Sequence, residues 1–139
     1  MPMNKSYYLI DLKQLEDSRG KMCVVECTKD IPFVIKRVFY DFNHKTDSVS
    51  RGNHANKHSS FVFICVAGSC SITVDDGQTI DTFCLDSPTK GLFINKMVWK
   101  SMTSFSKDCI LLVLSDHHYD SNEYINNYND YLIQQRSKL

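Results

Sequence analysis

Arg51-Gly52-Asn53-His54-Ala55-Asn56-Lys57-His58 runs almost directly into the apolar stretch Phe61-Val62-Phe63-Ile64-Cys65-Val66. On a β-strand, side chains two apart share a face. If the chain is extended from residue 54, then His54, Asn56, His58 and Ser60 line one side, continued by Val62, Ile64 and Val66. Polar groups then stand at the mouth of a cavity with an apolar floor, as in a small β-barrel that carries chemistry at its open end. Phe61 and Phe63 fall on the opposite face. Two apolar faces on one strand require cover on both sides, from a second sheet or a partner subunit.

Outward from this stretch the chain reads as short strands punctuated by turns, without repeats, low-complexity tracts or linkers. Tyr7 to Ile10, Lys21 to Cys27 and Phe33 to Tyr40 have strand composition, broken by Asp17-Ser18-Arg19-Gly20 and Asp30-Ile31-Pro32. Residues 43–50 are polar and read as a loop. Phe61 to Ala67, Cys70 to Val74 and Gln78 to Leu85 follow, with Asp75-Asp76-Gly77 as a hairpin turn in which Gly77 tolerates positive φ. Leu92 to Ile94, Met97 to Met102 and Cys109 to Leu114 complete the strands. After Asp120, the residues Tyr124, Ile125, Tyr128, Tyr131 and Leu132 recur at helical spacing, with Asp120 or Ser121 to cap the start and Arg136 and Lys138 to suit the end. The expected fold is all-β, a small antiparallel barrel or sandwich with a C-terminal helix.

The length of 139 residues suits one domain spanning 1–139. Sixteen basic and sixteen acidic residues cancel, which argues against a nucleic-acid or anionic-membrane surface. No apolar run is long enough to cross a bilayer, and Met1-Pro2-Met3-Asn4-Lys5 does not resemble a signal peptide, so a cytoplasmic protein is expected. The six cysteines form no CxxC pair and mostly sit in apolar strand-like stretches. They are expected to be buried thiols acting as small hydrophobes.

Several segments together resemble a known family. They are Arg51-Gly52-x-His54-Ala55-x-Lys57, Gly68-Ser69-Cys70 before Asp75-Asp76-Gly77, Leu85-Asp86-Ser87-Pro88, Gly91-Leu92-Phe93, Val98-Trp99, Phe105-Ser106-x-Asp108-Cys109 and Val113-Leu114-Ser115 ahead of Tyr119-Asp120 and Glu123-Tyr124-Ile125. In order and spacing, from about Asp17 to Tyr131, they are similar to the cupin-fold dTDP-4-keto-6-deoxyglucose 3,4-ketoisomerases. The resemblance implies a jelly-roll-like homodimer, often exchanging an N-terminal strand. It also implies that a dTDP-linked keto-sugar is turned into a 3-keto sugar for 3-amino-3,6-dideoxyhexoses of surface glycans such as O-antigen. The chain departs from that pattern where Asn56 replaces a second histidine, Lys100 follows the tryptophan, and Asn126 follows Ile125.

Metal-holding cupins use histidines and a glutamate at places that here read His54, Asn56, Ser60 and Lys100. That set cannot form a first-row metal site, so neither metal nor cofactor is expected. The work would fall to acid–base groups. His54 is the candidate base, because imidazole titrates near working pH and Arg51, Lys57 or Lys100 nearby would keep it neutral. Lys100 is a candidate oxyanion or proton donor, against a solvated surface lysine. Tyr40 can relay a proton, or it packs. Asn56 can bind a substrate hydroxyl or the enediolate but cannot carry a proton, and His58 either shares the face of His54 or turns to solvent. Arg19 suits pyrophosphate or sugar contact, and Trp99 stacks on thymine or belongs to the core. Two other readings stay open: a non-catalytic nucleotide-sugar-binding cupin, and a 3,5-epimerase of the same substrate.

Overall fold

The computed structural model describes residues 5–45 and 50–137. Its elements in chain order are β1 (Tyr7–Asp11), β2 (Gln14–Asp17), β3 (Gly20–Cys23), β4 (Arg37–Asp41), β5 (Arg51–Asn56), β6 (Phe61–Ala67), β7 (Cys70–Asp75), β8 (Ile80–Leu85), β9 (Lys90–Ile94), β10 (Trp99–Thr103), β11 (Ile110–Ser115), β12 (Tyr124–Ile125) and α1 (Tyr128–Arg136). The strands form two five-stranded antiparallel sheets, ordered β1-β9-β6-β11-β4 and β12-β5-β10-β7-β8, plus a separate β2-β3 hairpin. This is an open sandwich rather than a closed barrel. Of the loop expected over 43–50, residues 46–49 lie outside the described residues, as do 1–4 and Lys138.

The main core lies between the sheets. Phe61, Phe63 and Cys65 from β6 meet Ile72 and Val74 from β7 and Leu111 and Val113 from β11, all nearly inaccessible to solvent. Each such side chain contributes about 1.5–3 kcal/mol relative to exposure. The other face of β6 carries Val62 and Ile64, which pack against Ile10, Leu12, Ile31 and Phe33. The two apolar faces of this strand are thus covered within the chain, one by the second sheet and one by its own N-terminal region.

Several expected boundaries move for identifiable reasons. The strands expected over 21–27 and 33–40 shorten to β3 and β4. The residues between them carry a Cys27–Ile31 bridge, and their apolar side chains Ile31 and Phe33 cover the outside of the first sheet. Alternating apolar residues read as strand whether they pair or merely cover. The tail helix begins at Tyr128, capped by Asn127 accepting from the Asp130 amide, while Asp120 caps a single 3-10 turn over Ser121–Glu123. Tyr124 and Ile125, read as helical, pair instead with Asn56 and Ala55 of β5. Burial of Ile125 with Ala55, Met97 and Tyr131 outweighs their helical spacing. Of the cysteines, Cys65, Cys70 and Cys109 are buried together as expected, but Cys27 and Cys84 are exposed. Their side chains sit on strand or loop surfaces that composition does not distinguish from the core.

The stretch from Arg51 to Val66 does not run as one continuous strand. β5 belongs to the second sheet and β6 to the first, with a bend at 57–60 between them. The bend reverses which residues face inward. The polar face of β5 therefore continues into Phe61 and Phe63, and not into Val62 and Ile64.

Candidate active site

His54 and Lys100 face each other across adjacent strands, paired in register between β5 and β10. One residue on, the ladder shifts: Gly52 (φ +81°) and Asn53 (φ +58°) form a bulge in β5. A Cβ on Gly52 would lie 3.0 Å from the Lys100 carbonyl oxygen and 3.1 Å from Met102 Sδ. Glycine is required there both by conformation and by space, and the bulge aims His54 inward. His54 joins Gly52, Arg51, Lys100 and Met102 in lining a cleft of about 130 Å³. Phe39 and Asp41 from β4, Phe61 and Phe63 from β6, and Tyr124 from β12 close it.

His54 Nδ1 lies 3.0 Å from the Gly52 carbonyl, which can only accept, so Nδ1 carries the hydrogen and Nε2 the lone pair. The ring stands edge-on to Tyr124 at 4.7 Å. Burial, and then the Lys100 charge, lower its pKa to about 4, against smaller opposing effects of the Gly52 carbonyl and Glu123. The imidazole is neutral at physiological pH.

Lys100 is 2% exposed and donates from Nζ to Asn56 Oδ1 at 2.9 Å, with Nζ 4.7 Å above the Phe61 ring. Burial brings its pKa down to about 7; Glu123 opposes this and Arg37 adds to it. The group can therefore exchange a proton near neutrality. Asn56 is fully buried, and its Nδ2 has no hydrogen-bond partner among the described residues.

Glu123 anchors this end of the site. Burial pushes its carboxyl up, but the Ser59 hydroxyl, the amides of His58 and Ser59, and the nearby Asn56 side chain outweigh that and hold it below the usual range. The His58 and Ser59 amides donate to Oε1 at 2.9 and 2.8 Å, and Ser59 Oγ donates to Oε2. In the sequence Glu123 falls in a stretch with helical spacing, where nothing marks it for a role at the site. Its signal was adjacency to a strand, which only the pairing of β12 with β5 reveals.

The structure thus brings together His54, Lys100, Asn56 and Arg51, the last with Nε 3.6 Å from Asp41 Oδ2. It sets the other candidates elsewhere. Tyr40 alternates with the cleft-lining Phe39 and Asp41, so it points to the outer face and stacks on Phe42. Trp99 alternates with Lys100 and packs against Tyr128 and Tyr131 of α1. Lys57 follows the end of β5 and does not line the cleft. His58 is exposed, 6.5 Å from the His117 ring, because the bend ends the alternation. Arg19 pairs with Asp17 in the β2-β3 turn, beside a hollow of about 430 Å³. That hollow is larger than the cleft, but only the exposed hairpin between Leu15 and Met22 walls it, and no buried polar group points into it.

The metal-type donors lining the cleft are His54 and Asp41, with Nδ1 of the first and Oδ2 of the second already engaged. Two donors fall short of the three or four that a first-row ion requires. Cys65, Cys70 and Cys109 converge elsewhere, and none of them lines the cleft.

Proteins of known activity share this fold and much of this sequence. The chain is 42% identical over 123 residues to the TDP-4-oxo-6-deoxy-alpha-D-glucose-3,4-oxoisomerase of Aneurinibacillus thermoaerophilus, covering 88% of each chain. A crystal structure of a His-to-Asn mutant of the 3,4-ketoisomerase QdtA from Thermoanaerobacterium thermosaccharolyticum, in complex with TDP-4-keto-6-deoxyglucose, superimposes with a TM-score of 0.92 at 34% identity, covering 99% of both chains. The TDP-fucose-3,4-ketoisomerase WlaRA from Campylobacter jejuni matches with a TM-score of 0.88 at 42% identity, over 94% of this chain and 96% of that one. The family model described as "FdtA: WxcM-like, C-terminal" matches residues 5–136, and the chain belongs to the FdtA/WxcM-like family.

Proposed function

We propose that this chain is a single-domain dTDP-sugar 3,4-ketoisomerase, converting dTDP-4-keto-6-deoxy-D-glucose to a dTDP-3-keto-6-deoxyhexose. The observation that carries the reading is the opposed pair His54 and Lys100. One is a neutral imidazole with a free nitrogen, the other a buried amine that titrates near 7, and both line one small cleft. Such a pair offers a base and an acid at the same pH.

The reaction needs no redox partner. His54 Nε2 takes the C3 proton, the C–H electron pair becomes the C3=C4 bond, and negative charge moves to O4. Lys100 delivers a proton to C4. The O3 proton returns to Lys100 as the C3 carbonyl forms, and His54 passes its proton to O4. Both groups end as they began. Asn56 holds Lys100 and Glu123 secures the strand segment behind it. Closing this chemistry among Phe39, Phe61 and Phe63 strengthens each electrostatic contact.

The wider reading is a metal-independent, cytoplasmic homodimer that exchanges its N-terminal strand and serves 3-amino-3,6-dideoxy sugar synthesis for surface glycans. Edge strand β1, which among the described residues pairs with β9 alone, is the element suited to such exchange. The test is incubation with dTDP-4-keto-6-deoxyglucose in deuterated water, followed by NMR. Exchange at C3 and C4 is expected. Exchange at C3 and C5 would indicate epimerisation, and none at all would indicate binding without catalysis.

A further inference from the structure

Arg37 opens β4 on the same face as Phe39 and Asp41, both of which line the cleft. Its Nε and Nη2 are sealed from solvent and have no hydrogen-bond partner among the described residues. Aromatic rings surround the guanidinium instead: Phe39 at 5.2 Å, Tyr119 at 5.7 Å and Phe61 at 5.8 Å. Asp41, the next carboxylate on that face, pairs with Arg51, its Oδ2 3.6 Å from Arg51 Nε. Arg37 is half-buried, and two sealed guanidinium nitrogens without an anion among the described residues are costly, a cost that aromatic faces offset only in part.

Phe61 explains where that charge acts. The same ring carries Lys100 Nζ at 4.7 Å, so the two cations stand within about 10 Å of each other against one aromatic, with Lys100 buried and Arg37 half-buried, where salt screens them less than it would at the surface. The charged or titratable groups facing Lys100 come from three elements: His54 of β5, Arg37 of β4 and Glu123 of the 3-10 turn. Arg51 of β5 and Asp41 of β4 line the same cleft but pair with each other, His54 is neutral and Glu123 is anionic, which leaves Arg37 as the cation without an anion among the described residues that opposes the ammonium form of Lys100.

We propose that Arg37 is a positioning residue that works through Lys100, its uncompensated charge keeping that ammonium ready to release a proton to the sugar. The inference rests on the ketoisomerase reading, in which Lys100 supplies the C4 proton. It goes further by giving the unpaired guanidinium a purpose. Without it, Lys100 would hold its proton more tightly beside Glu123 and deliver it more slowly.

The experiment compares Arg37→Met and Arg37→Lys with wild type, following kcat across pH and dTDP affinity by calorimetry. At an effective dielectric near 20, removing the charge should move the alkaline limb of the Arg37→Met profile upward by about one pH unit. Arg37→Lys should keep the limb within a few tenths of a unit of wild type, and dTDP affinity should stay within threefold in both. If Arg37→Met folds poorly, the Lys100 titration read by NMR of lysine labelled at Cε in Arg37→Gln gives the same shift. An unmoved limb, an equal shift in both variants, or a loss confined to dTDP affinity would overturn the proposal. Wild type that fails to exchange C3 and C4 would instead overturn the ketoisomerase reading beneath it.

Discussion

Replacing Lys100 with methionine should abolish turnover while making the protein more stable at pH 6. The amine is wholly enclosed, and burial lowers its pKa from 10.5 to about 7. At 1.36 kcal/mol for each tenfold change in proton affinity, that fall corresponds to a penalty of about 5 kcal/mol on the charged form. Because the folded pKa lies below the unfolded one, the unfolded chain binds more protons between pH 7 and 10.5. Stability therefore rises with pH across that window, and the full penalty is present below pH 7. Methionine has a similar length, rests on Phe61 and carries no charge. It leaves Asn56 Oδ1 without its donor, at a cost of about 1–3 kcal/mol. The net expectation is a gain of about 2 kcal/mol at pH 6, or about 6 °C in melting temperature for a chain of this size. Above pH 10 the penalty has gone and the variant should be the less stable of the two. Thermal melts of both proteins at pH 6 and pH 10 isolate this one group, since all others titrate alike. A variant that melts lower than wild type by the same margin at both values would show that Lys100 carries no burial penalty, and the acid–base pairing with His54 would lose its basis.

Other outcomes follow from the same geometry. The profile of kcat/KM against pH should rise through about 4, as His54 loses its proton, and fall through about 7, as Lys100 loses its own; activity that keeps climbing beyond pH 9 would contradict this order. His54→Asn should lower kcat at least about a hundredfold while dTDP affinity, by calorimetry, stays within a few-fold. Gly52→Ala should destabilise by about 1–3 kcal/mol in urea titration, because the new Cβ meets the Lys100 carbonyl at 3.0 Å with φ at +81°. Its kcat should fall further than stability alone explains, since the bulge aims His54.

Much of this molecule was legible from local pattern. Strand composition and turn residues located β1, β6, β7, β8, β9 and β11 closely, because β6, β7, β9 and β11 are largely buried and the Asp75-Asp76-Gly77 turn fixes where the mostly exposed β8 begins. The motif around Arg51-Gly52-Asn53-His54 marked the site, and His54 and Lys100 do line one cleft. Residues whose role depends on a partner distant in sequence were harder to read. Glu123 meets His58 and Ser59 across more than sixty residues, and nothing near either end announces the contact.

The side that a residue faces was the other blind spot. A period of two tells which residues share a face, but not which face is inward once the chain bends. The break at 57–60 carries the chain from one sheet to the other and turns Phe61, rather than Val62, toward the cleft. The same parity sends Tyr40 outward and Trp99 beneath α1. Sequence alone thus determined most of the strands, though neither β2 nor β12, together with the family resemblance and the polar residues available for proton transfer. Tertiary structure decided which of them meet, because burial, unpaired charge and pKa depend on neighbours that only folding brings within a few ångströms.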